Sequence, residues 1–164
     1  MVKCEVIEKR ESIRLYDTSK KIELCEISGC IEAAAKAPSP YNKQPWEFRI
    51  INSQETIEEL AALLPHNRWI KTAPTVVVVG TEKVEGIDKL KYYLAVGAAI
   101  ENMMLEAQQR GISTCWVAEC MGKGFEEKLL WPKEGEIVSI VAMGFSRRYQ
   151  TKREIKKSVS EILV

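Results

Sequence analysis

Apolar residues recur along this chain at two spacings, and the switches between them mark its elements. Residues 3–9 read as a short helix, after which Arg10 to Tyr16 alternates with period two. Ser12, Arg14 and Tyr16 fall on one side there, Ile13 and Leu15 on the other. Leu24, Ile27, Ile31, Ala34 and Ala35 then repeat at helical spacing, predicting a helix from about Lys20 to Lys36 capped by Ser19. A strand over Glu47–Asn52 and a helix from Gln54 to Leu64 follow, the latter capped by Ser53 and ended by Pro65. Thr75 to Gly80 is an unbroken β-branched run, the signature of a strand buried on both faces.

A charged loop, Thr81 to Asp88, leads to the longest helical pattern, Lys89 to Arg110, stopped by Gly111. Tyr93, Val96, Gly97, Ile100, Met103, Met104 and Ala107 form its stripe, yet Leu94, Ala95, Ala98 and Leu105 lie largely off it. A helix apolar nearly all round is a core helix or one covered partly by another subunit. The small residues Ala95, Gly97, Ala98 and Ala99 would admit a close neighbour. A strand over Ser113–Ala118, a short helix near Phe125–Leu130 and a strand over Glu136–Met143 complete the pattern. A basic tail with Arg147, Arg148, Lys152, Arg153, Lys156 and Lys157 follows Gly144. Alternating strands and helices predict an α+β or α/β sandwich, helices on both faces of one sheet.

Composition narrows the function classes. A chain of 164 residues is expected to form one domain, 1–164. Its 24 basic and 23 acidic residues leave a net charge of +1, which gives no support for a nucleic-acid or anionic-membrane partner. The N-terminal stretch is charged rather than apolar and does not read as a signal peptide, and no run is long enough to cross a bilayer. Five cysteines without paired spacing fit free thiols in a reducing cytoplasm, and no metal site is expected. Gly122-Lys123-Gly124 lacks the remainder of a P-loop or a dinucleotide fingerprint.

Two stretches carry candidate chemistry. Pro38, Pro40 and Pro45 stiffen the loop from Ala37 to Trp46, which holds Ser39, Asn42 and Gln44 at nearly fixed positions. Such a loop can offer hydrogen bonds to a planar polar ligand with little ordering entropy, or can serve only as a rigid connection. Arg10, Ser12 and Arg14 share one side of an extended segment and could converge on a phosphate, or could stand as two solvated arginines. His66 is the only histidine, and no nucleophile motif accompanies it.

These stretches occur in a fixed order: RESIRLY (Arg10–Tyr16), AKAPSPYNKQPWEFRII (Ala35–Ile51), WIKTAPTVVVV (Trp69–Val79), GISTCWV (Gly111–Val117) and MGF (Met143–Phe145). Over essentially the whole chain this resembles the FMN-dependent nitroreductase family. The resemblance implies an α+β, three-layer sandwich with a central, mostly antiparallel sheet, assembled as an intertwined homodimer with FMN sites shared between subunits. It implies that Arg10 and Ser12 hold the FMN phosphate and that Arg14 reaches the ribityl or pyrimidine side, where its charge gives electrostatic support. Pro38, Ser39 and Asn42 would line the flavin of the other protomer, with Gln44 bracing the loop. Ala118 and Glu119 would meet flavin N5, and Arg153, then Lys152, would close on the phosphate. The implied activity is ping-pong hydride transfer from NADH or NADPH through N5 to a nitroaromatic, quinone or similar acceptor, with no catalytic side chain. The alternative is a flavin-binding protein for storage or regulation without nicotinamide turnover. Where many relatives carry glycine this chain has Ala118 and Glu119, and Pro40 stiffens a position that is often small.

Overall fold

A run of four valines sets the centre of the molecule. In the computed structural model, which describes residues 4–122, 124–147 and 157–163, Val76 to Val79 are fully buried. Each such side chain contributes roughly 1.5–3 kcal/mol by leaving water. They belong to strand β2 (Thr75–Glu82), flanked by β1 (Trp46–Ile51) and β4 (Gly135–Gly144), with β3 (Ser113–Val117) beyond β4. The sheet order is β1-β2-β4-β3 and every pairing is antiparallel, with an irregularity between Val79 and Gly80.

Helices cover both faces, giving the three layers. On one face, α2 (Leu24–Ala35) and α4 (Gly86–Gln109) pack Ile27, Cys30, Val96, Ile100 and Met103 against Val77, Val79 and Val141. On the other, α3 (Gln54–Ala62), the single-turn helix Arg68–Thr72 and the segment around α5 (Phe125–Lys128) pack Ile57, Leu60, Ile70, Phe125 and Trp131 against Val76, Val78 and Ile140. Short helices α1 (Glu5–Lys9) and α6 (Val159–Ile162) lie outside this core. Among the described residues no helix is long and apolar enough to cross a membrane.

The structure revises several local expectations. Helix α2 starts at Leu24, not Lys20, because Ser19 is used elsewhere: its backbone and hydroxyl donate to Asp17 Oδ1 at 3.1 and 2.6 Å. That local turn competes with capping, and Glu23 and Glu26 form a capping box in its place. Ser53 does cap α3, accepting from the Thr56 amide at 3.3 Å. Helix α4 begins three residues early, at Gly86.

The segment Arg10–Tyr16 is not a strand. It makes two isolated bridges, Ser12 parallel to Thr114 and Tyr16 antiparallel to Ser146, so it borders β3 and then crosses to the end of β4. Its expected alternation breaks at Tyr16, which is fully buried while Leu15 is exposed. The Tyr16 hydroxyl reaches Ile13 O at 2.7 Å and Ala142 O at 3.1 Å, and those buried acceptors draw the ring inward.

Candidate flavin site

Two groups of side chains stand out, and α4 measures the distance between them. The first gathers at the exposed edge of β3. Main-chain bonds from Ile13 to Thr114 O (3.0 Å) and from Asp17 to Phe145 O (2.7 Å) lay the N-terminal segment along that edge. Ser12 and Arg14 are exposed there, while Arg10 is half-buried and pairs with Glu101 of α4 at 3.5 Å. All three act on the buried thiol of Cys115. Burial pushes that thiol up, and Arg14, a hydrogen bond from Ser12, and Arg10 pull it back. Ser12 and Arg14 ride on the segment that borders β3, and Arg10 is turned toward α4 by its pair with Glu101. A dianionic phosphate suits this donor set, since guanidinium forks and a hydroxyl all donate.

The second group is the proline loop. Pro40–Asn42 forms one 3-10 turn, and Tyr41, Asn42 and Gln44 have φ of 51°, 55° and 49°. Three non-glycine residues in the left-handed region store strain of order 1–3 kcal/mol each, held in place by the loop's own contacts. The Gln44 amide donates to Ser39 Oγ at 2.9 Å, and Gln44 Nε2 lies 3.4 Å from Asn42 O. Gln44 thus braces the loop from within. Pro38 and Asn42 are exposed and Ser39 is half-buried.

Both groups touch α4. Tyr41 acts electrostatically on Lys91, whereas Arg10 pairs with Glu101. Ten helical residues separate those two positions, about 15 Å along α4. An exposed apolar stripe runs down the same helix, with Ile87, Leu90 and Leu94 at 65%, 55% and 67% exposure, and Trp116 of β3 is partly exposed nearby, in reach of Gly97.

Past β3, Ala118 is exposed and Glu119 half-buried. Sequence reasoning gave the Glu119 side chain no partner. The structure supplies one: Asn67 Nδ2 donates to Glu119 Oε2 at 2.6 Å, and Trp69 Nε1 donates to Asn67 Oδ1 at 3.1 Å. The Arg14 guanidinium sits 5.9 Å from the Trp69 ring centroid. The only signal in the sequence was Trp69 itself, an aromatic just ahead of the valine strand. A separate cleft of about 770 Å³ is lined by Met121, Trp131, Tyr93, Lys89 and Glu136, among others. Lys152 and Arg153 lie outside the described residues.

Comparison with known proteins agrees with this architecture. The model of the nitroreductase family matches residues 7–67 and 61–145. An Archaeoglobus fulgidus protein, named provisionally as an NADH dehydrogenase/NAD(P)H nitroreductase, is 28% identical over 150 residues, covering 87% of this chain and 84% of its own. A nitroreductase of Bacteroides fragilis solved with bound FMN superposes with a TM-score of 0.78 at 25% identity, covering 98% of this chain and 96% of that one. A nitroreductase family protein of Streptococcus pneumoniae superposes with a TM-score of 0.88 at 18% identity, over 98% of each chain.

Proposed function

This chain belongs to the nitroreductase family, and from that premise we propose that it is an FMN oxidoreductase. In this reading it uses NADH or NADPH to reduce a nitroaromatic, quinone or similar acceptor. The observation that carries it is the segment from Arg10 to Arg14, with two arginines and a serine, laid along the edge of β3. When bound, FMN supplies the redox chemistry. The chain's own groups bind and orient. Arg10 and Ser12 grip the phosphate, with Arg153 and Lys152 as further candidates. Arg14, exposed and cationic, sets positive charge beside the pyrimidine end, where negative charge grows on reduction. Main-chain groups of Ala118 and Glu119 would meet the reacting edge of the bound flavin.

Lys91 and Glu101, the α4 residues nearest the two groups' interactions, stand about 15 Å apart along the helix, which supports a homodimer. Pro38, Ser39 and Asn42 of one subunit then line the flavin gripped by the other, and the exposed stripe on α4 becomes covered surface. A reduced nicotinamide donor and five thiols without paired spacing fit a cytoplasmic setting.

The test is anaerobic titration of the purified protein with NADH and NADPH after loading with FMN. The flavin absorbance should bleach and return when an acceptor is added. Bound flavin that neither nucleotide bleaches would leave a flavin-storing protein instead. Failure to take up FMN at all would overturn the reading.

The shared site is tested by Ala98→Arg, which places a charge on the half-buried face of α4. Light scattering and absorbance should show dimer and FMN lost together. A monomer still yellow at stoichiometric FMN would show that one chain suffices.

A further inference from the structure

We propose that Trp69 and Asn67 form a positioning relay that ties Arg14 to Glu119 and so sets the electrostatics of the flavin site. The inference rests on the FMN reading above and adds two residues to it.

The relay is a continuous set of contacts with defined direction. The Arg14 guanidinium lies over the Trp69 ring. The Trp69 indole N–H donates to Asn67 Oδ1 at 3.1 Å, and Asn67 Nδ2 donates to Glu119 Oε2 at 2.6 Å. Indole can only donate and a carboxylate can only accept. The amide between them is therefore fixed in one orientation, oxygen toward Trp69 and nitrogen toward Glu119. The turn beneath is itself held: Asn67 N bonds Leu64 O and Ile70 N bonds Asn67 O, both at 3.1 Å, and Thr72 Oγ1 donates to Trp69 O at 2.9 Å. The Trp69 ring also tilts against buried Tyr16, with centroids 6.4 Å apart. The middle of the relay is thus built on a hydrogen-bonded turn packed against the core.

Two consequences follow for a flavin lying between Arg14 and the 118–119 main chain. The relay fixes the distance between the group beside the pyrimidine and the group beside N5. It also holds the Glu119 carboxylate toward the Arg68–Thr72 turn, where a neutral amide partners it. A carboxylate released from that bond would bring negative charge toward a cofactor that becomes more negative on reduction, lowering its potential.

The experiment measures the midpoint potential and dissociation constant of bound FMN in four full-length variants. Trp69→Phe keeps an aromatic face for Arg14 and removes only the N–H. Asn67→Leu removes the central link on a half-buried turn, and serves if the tryptophan variant folds poorly. Glu119→Gln removes the charge. Trp69→Phe/Glu119→Gln tests whether the first acts through the second. We expect Trp69→Phe and Asn67→Leu each to lower the potential and to weaken FMN binding roughly 2- to 13-fold, the worth of one ordinary hydrogen bond. In the Glu119→Gln background the potential shift caused by Trp69→Phe should vanish. A shift that persists in that background overturns the relay, as does an unchanged potential in both single variants. A merely structural role would lower the melting temperature without moving the potential. Failure of the underlying FMN reading shows separately, as a wild-type protein that takes up no FMN.

Discussion

Tyr16 pins the segment that carries the proposed phosphate grip, and Tyr16→Phe isolates that pin. The substitution keeps the ring, its fully buried position and its contact with Trp69, and removes one oxygen. That oxygen lies 2.7 Å from Ile13 O and 3.1 Å from Ala142 O, so its loss leaves the buried carbonyl of Ala142 without this donor and frees the turn at Ile13. Losing a partner to a buried acceptor costs about 1–3 kcal/mol. In a chain of this size each kcal/mol moves the melting temperature by about 2–4 °C, so the expected drop is about 2–12 °C. Calorimetry on the apoprotein measures it directly. Because Ser12 and Arg14 ride on the same segment, FMN affinity should fall with it. The hydroxyl also has a pH signature. Burial raises its pKa well above the ordinary value of 10.0, Cys115 adds to the rise, and Arg14 opposes it. The folded state therefore favours the neutral phenol. Stability is unaffected by this group below pH 10 and declines above it, where the unfolded chain loses the proton first. Tyr16→Phe should remove that alkaline decline. A variant melting within 1 °C of wild type, or one with the same loss of stability above pH 10, would refute the reasoning.

Arg10→Ala should raise the FMN dissociation constant about 10- to 150-fold, the worth of a hydrogen bond to a charged group. It should scarcely change apoprotein stability, since its 3.5 Å pair with half-exposed Glu101 is worth at most about 1 kcal/mol; an unchanged affinity in equilibrium titration would dismiss the assignment. Gly80→Ala should destabilise by about 1–3 kcal/mol in urea unfolding, because its Cβ would stand 2.5 Å from Trp131 and 2.7 Å from the Glu136 carbonyl. Thiol labelling of native protein should modify exposed Cys4 and Cys25 rapidly and spare the other three. Burial pushes Cys30 up to about 11 and Cys120 up to about 12, so little thiolate forms at neutral pH. Mass spectrometry finding rapid modification of Cys120 would contradict this.

The elements legible in the sequence are those whose own composition decides them. Val76–Val79 can be little other than a central strand, and the period of Ile57, Leu60 and Ala61 defines the buried face of α3 whatever packs on it. The three prolines announced a stiff loop, and Ser53 announced its cap. Tertiary structure decided wherever a residue had a choice of partners. Ser19 turned to Asp17 rather than capping α2, because two hydrogen bonds lay within two residues. Tyr16 left its period-two position because a buried carbonyl 126 residues away accepts its hydroxyl. Ser12 and its neighbours lie where they do because β3, a hundred residues later, offers an edge to lie along. The Asn67–Glu119 bond spans 52 residues and leaves no trace in local spacing. Periodicity records what a residue does to its own backbone and burial, while a hydrogen bond between distant residues depends on where the fold places its two ends.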